Sequence, residues 1–230
     1  MEHADMAVLP PPSRRVQGKQ DRRTRIIDAA DALLREHGIA VVSVKMIAER
    51  ARVSPATVYN LFATRGAVLD QVFERGLVEL RSLVDALPSA DALDRLFDAV
   101  TLSVELFGRD RAFYRATIST RAVSSGPGGH VTAPEIIAPR MRFWIGMVER
   151  IMQEGHLRPQ ARPALLGVLL TQIVVGTLSD WVWELIADAR FALEVQYGFA
   201  VVLAHDAGPA AADRMAARLS ALKAELGCAR

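Results

Sequence analysis

The chain has 230 residues, of which 51% are hydrophobic, 6% aromatic and 23% charged, with a formal net charge of +2. This apolar content excludes a disordered chain, and the length suits one large domain or a small one joined to a larger one. A lone cysteine, Cys228, excludes an internal disulfide and a thiolate zinc cluster, which points to a reducing compartment. The small net charge conceals a split. Residues 14–65 hold eleven Lys/Arg against five Asp/Glu, and the remainder holds seventeen against twenty-one. A basic block on a mildly acidic remainder predicts a polyanion-binding head on a body with another task.

In chain order, residues 1–20 read as a disordered basic arm: PPPS at 10–13 precedes Arg14, Arg15 and Lys19, with no apolar period. The opening MEHADMAVLP has neither the early cation nor the apolar core of a secretory signal, so the expected location is cytoplasmic. A helical period starts at Asp21, with Ile26, Ala30, Leu33 and Leu34 on one face, and Gly38 supplies a left-handed stop. Ser43 is an N-cap for VKMIAERA. Ser54 caps a third, short helix in which Pro55 suits the first position and Val58, Leu61 and Phe62 face inward. A fourth helix runs from Arg65 to Leu87, where Pro88 stops it.

Beyond Pro88 the period remains helical. The predicted spans are 90–108, 110–124, 134–155, 162–187, 190–206 and 209–226, punctuated by Gly108, SSGPGGHVTAP, HLRP and DAGP. No stretch alternates at period two for long, so the fold class is all-α. Residues 163–179 are uncharged, but Pro163, Thr171, Gln172 and Thr177 suit a buried bundle or interface helix better than a membrane span.

Three short helices inside the basic block, with the second and third joined by a tight turn, make a helix-turn-helix at about 45–64. Winding the third helix at about 100° per residue puts Ala56 and Asn60 outermost, flanked by Thr57 and Tyr59. Such a face offers hydroxyls for phosphates, an amide for adenine and a methyl for thymine. Catalytic signatures are missing: there is no G-x-S-x-G, GPGG at 126–129 follows no strand, and the five histidines have no metal spacing. No enzyme activity, metal or cofactor is expected.

The stretch 24–69 resembles the N-terminal domain of TetR/AcrR-type transcriptional regulators. The matching positions are Thr24, Ala29, Ala30, Gly38, Ser43, Ile47, Ala48, Val53, Ser54, Thr57, Tyr59, Phe62 and Leu69. The resemblance covers about a fifth of the chain. It implies that residues 21–65 bind double-stranded DNA and that 66–230 form an effector-binding and dimerisation bundle. By the same resemblance Lys45, Pro55, Ala56, Thr57 and Asn60 meet base edges, while Ser43, Ser54, Tyr59 and Arg65 meet phosphates. Arg52 stands where the family usually has glycine; either the turn accepts it or it is an extra backbone contact. Arg22 and Arg23, beside the first helix, are further expected DNA contacts.

Phe107, Phe113, Met141, Trp144 and Trp181 are the expected lining of an effector pocket, and the aliphatic 163–187 segment suggests a hydrophobic effector. Leu166, Leu170, Ile173, Val174 and Thr177, with Tyr197 and Val201, are the expected homodimer interface, because an uncharged helix needs cover on a second face. The implied mechanism is a ligand-responsive repressor on a palindromic operator. The rival reading is a helix-turn-helix protein whose body recruits a protein partner and senses no metabolite.

Overall fold

The computed structural model describes residues 14–115 and 134–228. The helices are α1 (Arg14–His37), α2 (Val44–Ala51), α3 (Pro55–Phe62), α4 (Arg65–Asp85), α5 (Ala92–Arg109), α6 (Pro134–Gln153), α7 (Pro163–Val182), α8 (Asp188–Asp206) and α9 (Pro209–Cys228). Residues 111–115 are also helical, and the rest of the helix expected over 110–124 lies outside the described residues. Among the described residues no strand forms; one isolated bridge joins Leu157 to Ala207.

The arm differs from expectation. Residues 14–20 continue α1, while 1–13 lie outside the described residues. Propagating a helix costs little once the folded turns beyond Asp21 have nucleated it, and Arg, Gln and Lys are good helix formers.

Two cores form. The head core gathers Ile26, Ala30 and Leu34 of α1, Ile47 and Ala48 of α2, and Val58 and Phe62 of α3. It also takes in Val68, Leu69, Val72 and Phe73 of α4, and Phe113. The body core begins at Leu77 and Leu80 of the same α4 and runs through α5 to α9. The boundary expected at residue 65 therefore falls short, because the first half of α4 packs as part of the head. One helix belongs to both cores, so tilting it moves both.

In the body, α7 packs between α6 and α8. A Cβ on Gly167 would lie 2.7 Å from the Ile145 Cα, so glycine is what lets α6 and α7 approach within one subunit. Around Gly176 there is open space. By length and a mean hydropathy of 1.6, α7 could cross a membrane, yet half of that window is buried in the subunit's own bundle. Asp91 ties the body's ends together. Its carboxylate accepts from the Asp94 N–H as the α5 N-cap, pairs with Arg214 of α9 at 2.6 Å and meets His156 Nε2 at 3.1 Å.

Candidate functional site

The turn between α2 and α3 is built by caps. Ser43 Oγ accepts from the Met46 N–H, and Ser54 Oγ accepts from the Thr57 N–H at 3.1 Å. The Ser43 hydroxyl, accepting in this way, keeps its own O–H to donate to a phosphate, whereas Ser54 Oγ also pairs with Thr57 Oγ1 at 2.9 Å, where either hydroxyl can donate. Arg52 closes α2 in the left-handed region (φ 54°), and its N–H and that of Val53 return to Glu49 and Ala48 carbonyls. The turn thus accepts a non-glycine residue. Arg52 lines a shallow groove with Arg25 and Asp28 on one side of α1.

Pro55, Ala56, Tyr59 and Asn60 are exposed along α3, and Thr57 is half-buried. Tyr59 is 52% exposed and does not join the head core. Lys45 is exposed at the start of α2. Two expected contacts are turned partly inward. Arg23 donates to the Leu61 carbonyl at 2.6 Å and lies 4.3 Å over the Phe62 ring, capping the end of α3. Arg65 donates to the Val42 carbonyl at 2.7 Å and to the Ile39 carbonyl, clasping the loop before α2 to α4. Arg22 is exposed and shares a groove with Arg15, Lys19, Thr57 and Asn60.

A second site lies where head meets body. A cavity of about 380 Å³ is bounded by α1, α4, α5, the 111–115 turn and α6. Its apolar wall includes Phe73, Leu80, Phe107, Phe113 and Tyr114; its polar wall includes Asp31, Arg35, Arg109, Asp110 and Arg140. Arg140 is buried among aromatic rings, 5.6 Å from that of Phe73 and 5.7 Å from that of Tyr114. Burial pushes the Tyr114 phenol up from its ordinary range, against the pull of Arg140. Arg35 of α1 pairs with Asp110 and sits 4.6 Å over the Phe113 ring, so the cavity wall is also a link between head and body.

Of the expected pocket residues, Phe107 and Phe113 line this cavity, but Met141, Trp144 and Trp181 do not. Trp144 is packed edge-on against Phe143 and Phe199, and Trp181 lies tilted at 32° to the Phe191 ring with its Nε1–H on Asp188 at 2.7 Å. They are core. Arg140, which was missed, had a signal: it continues the stripe of Phe143, Trp144, Met147, Val148 and Ile151, a cation on an apolar face.

The expected dimer residues also divide. Leu166, Leu170 and Val174 are buried in their own subunit's core and cannot form a contact surface. Helical phase is the reason, because an all-apolar helix does not declare which face turns inward. The outer face of α7 instead shows Leu165 (55% exposed), Leu169 (42%) and Gly176, with Ile173 and Thr177 half-buried beside them. On α8, Val201 is 49% exposed and Tyr197 half-buried.

Asp91, Glu154 and His156 bring ligand-type atoms within 4.8 Å of one another. Arg214 already supplies positive charge to Asp91, holding its carboxyl down to about 2. The cluster works as an ion-pair joint between α5 and α9.

Comparison with known proteins bears on both sites. Residues 26–72 match the family described as bacterial regulatory proteins, tetR family. The chain is 28% identical over 183 residues to the HTH-type transcriptional regulator UidR of Escherichia coli K12, covering 75% of this chain and 88% of UidR. It is 32% identical over 137 residues to the HTH-type regulator YdeS of Bacillus subtilis, covering 58% of this chain and 66% of YdeS. Among solved structures, Thermus thermophilus FadR, a repressor crystallised with lauroyl-CoA, superposes with a TM-score of 0.59 at 22% identity. That match covers 79% of this chain and 93% of the FadR chain. A regulator from Rhodococcus sp. RHA1 gives a TM-score of 0.61 at 16% identity, over 81% of this chain and 97% of its own. Both share the fold.

Proposed function

Because the chain belongs to the TetR family of bacterial transcriptional regulators, we propose that it is a ligand-responsive repressor that grips a palindromic operator as a C2 dimer. It is a DNA-binding regulator and not an enzyme, as its relatives are. In this reading the exposed face of α3, with Ala56, Thr57, Tyr59 and Asn60, reads the major groove, and Ser43, Lys45 and Ser54 hold flanking phosphates. The protein works in the cytoplasm, beside its DNA.

One observation carries the sensor half of the proposal: the cavity is walled by α1 of the head as well as by α4 to α6. A ligand there touches both parts at once. Only a ligand that binds one head position better than the other can shift the equilibrium, and a wall shared by head and body gives a ligand the means to do so. At about 380 Å³ the space suits a small molecule. Its lining mixes aromatic rings with arginine–carboxylate pairs such as Arg35–Asp110 and Arg109–Glu79, which favours an effector with an apolar body and a polar end over a purely hydrophobic one. A body that only recruits a protein partner has no use for such a space.

Dimerisation is assigned to the outer faces of α7 and α8, through Leu165, Leu169, Ile173, Thr177, Tyr197 and Val201. Two-fold pairing there covers apolar surface and sets two α3 helices on half-sites about one helical turn apart. The test is selection of duplexes from a random library with the purified chain. An inverted repeat with that spacing is expected; no enrichment, or an asymmetric site, overturns the reading.

A further inference from the structure

The groove of about 660 Å³ beside α3 is bounded by Arg15, Val16, Lys19 and Arg22 of α1 and by Thr57, Asn60 and Leu61 of α3. It contains no acidic side chain. Wound at about 100° per residue, Arg15, Lys19, Arg22 and Ile26 fall on one strip of α1 about 60° wide. From Ile26 onward this strip enters the head core. Beyond the edge of the head the same strip turns cationic, and Asp21, the one acid between Arg14 and Ile27, lies on the far side.

Residues 14–20 add no member to the head core. Val16 is the one apolar residue of 14–20 and is 56% exposed, and Gly18 weakens the helix from within. These turns lie outside the head core and set three aligned cations over the face expected to read bases, an arrangement that suits a polyanion lying between the two helices.

We propose that the N-terminal turns of α1 form a clamp for the DNA backbone, in which Arg15, Lys19 and Arg22 hold one phosphate strand against the Thr57–Asn60 side of α3. The inference rests on the reading of α3 as the DNA-binding helix; beyond Arg22, already an expected DNA contact, it adds Arg15 and Lys19 and the groove that the three share with α3. Along α1 the three cations span about 10 Å, long enough to follow neighbouring phosphates of one strand. Such a contact carries no base information. It sets the register of α3 and adds affinity for any duplex.

The test uses the full chain, a duplex recovered by selection with the unaltered protein, and a scrambled duplex of equal length. Arg15→Ala with Lys19→Ala removes two contacts per subunit. The log–log dependence of affinity on salt becomes shallower by about 1.8 per bound subunit, on both duplexes, with the base-preference profile unchanged. Lys223→Ala, on the exposed side of α9, controls for bulk charge and leaves the slope as it was. Charge reversal, Arg15→Glu with Lys19→Glu, weakens binding further. If the unaltered protein binds the selected duplex and the double alanine variant keeps its slope and affinity, the clamp is wrong and the α3 reading stands. If the unaltered protein enriches no duplex, both fall. A changed base-preference profile overturns the clamp too, because it would place these residues on base edges.

Discussion

The head and the body use their cores in opposite ways. In the head, Ile26, Leu34, Ile47, Val58 and Phe62 form a small core whose purpose is to hold α3 with Tyr59 and Asn60 facing out. In the body the distinctive chemistry lies inside, in the space between α1, α4, α5 and α6 where Arg140 sits among aromatic rings. The head can therefore lose function without losing stability. In the body a single substitution disturbs both, unless it falls on the outer faces of α7 and α8.

The contrast is broken most severely at two neighbouring positions. Leu170 is fully buried and Leu169 is exposed. Leu170→Glu puts a carboxylate into the body core at a cost above about 4 kcal/mol, and the chain is expected to melt early or aggregate. Leu169→Glu should still fold and melt cooperatively, yet sediment as a monomer without operator affinity. A folded, dimeric Leu170→Glu variant would show that the core has been drawn on the wrong face.

In the head the expectation reverses. Tyr59→Phe should weaken operator binding by about 1.5–3 kcal/mol, the range for a lost hydrogen bond to a charged group, with no change in melting temperature. Asn60→Ala should relax preference at one base position per half-site. A preference profile unaltered by Asn60→Ala, measured on single-base operator variants, would take Asn60 off the reading face.

What the sequence discloses follows the same division. Caps and turns are local chemistry, so Ser43, Ser54 and Pro55 announced their helices, and the 3.6-residue period announced which side of α3 points outward. The inward turn of Arg65 was hidden because its partners, the Val42 and Ile39 carbonyls, lie in a loop over twenty residues earlier. Trp144 and Trp181 looked like pocket residues because aromatic type does not reveal packing, and α7 hid its phase because it is apolar all round. Arg140 on an apolar stripe was the readable exception.

The joint between α5 and α9 tests whether the body's ends depend on charge. Arg214 holds the Asp91 carboxyl down to about 2, below its ordinary 3.8. A depressed acid stabilises the fold above its unfolded pKa and loses that contribution as pH falls through the folded one. Asp91→Asn keeps a cap acceptor but loses the ion pair. The gap between parent and variant should be about 1–2 kcal/mol near neutral pH, constant down to about pH 5, and should close between about 4 and 2. Parallel unfolding curves over that window would show that Asp91 contributes only its cap.

The smallest effect decides the reading of Arg52. In the left-handed region a side chain costs about 1–2 kcal/mol, part of which glycine returns through its larger unfolded-state entropy. Arg52→Gly should therefore stabilise the head by about 1 kcal/mol or less, raising the melting temperature by about 2 °C. The groove that Arg52 lines runs past Arg25 and Asp28, whereas Arg15, Lys19 and Arg22 line another, beside α3. On that geometry the salt dependence of operator binding should be the same in the variant and the parent. A slope shallower by about 0.9 per bound subunit would put Arg52 on a phosphate, and would mean that the strain at the turn is kept for the contact. A higher melting temperature with an unchanged slope would mean instead that the turn merely tolerates arginine, with DNA binding left to α3 and the cations beside it.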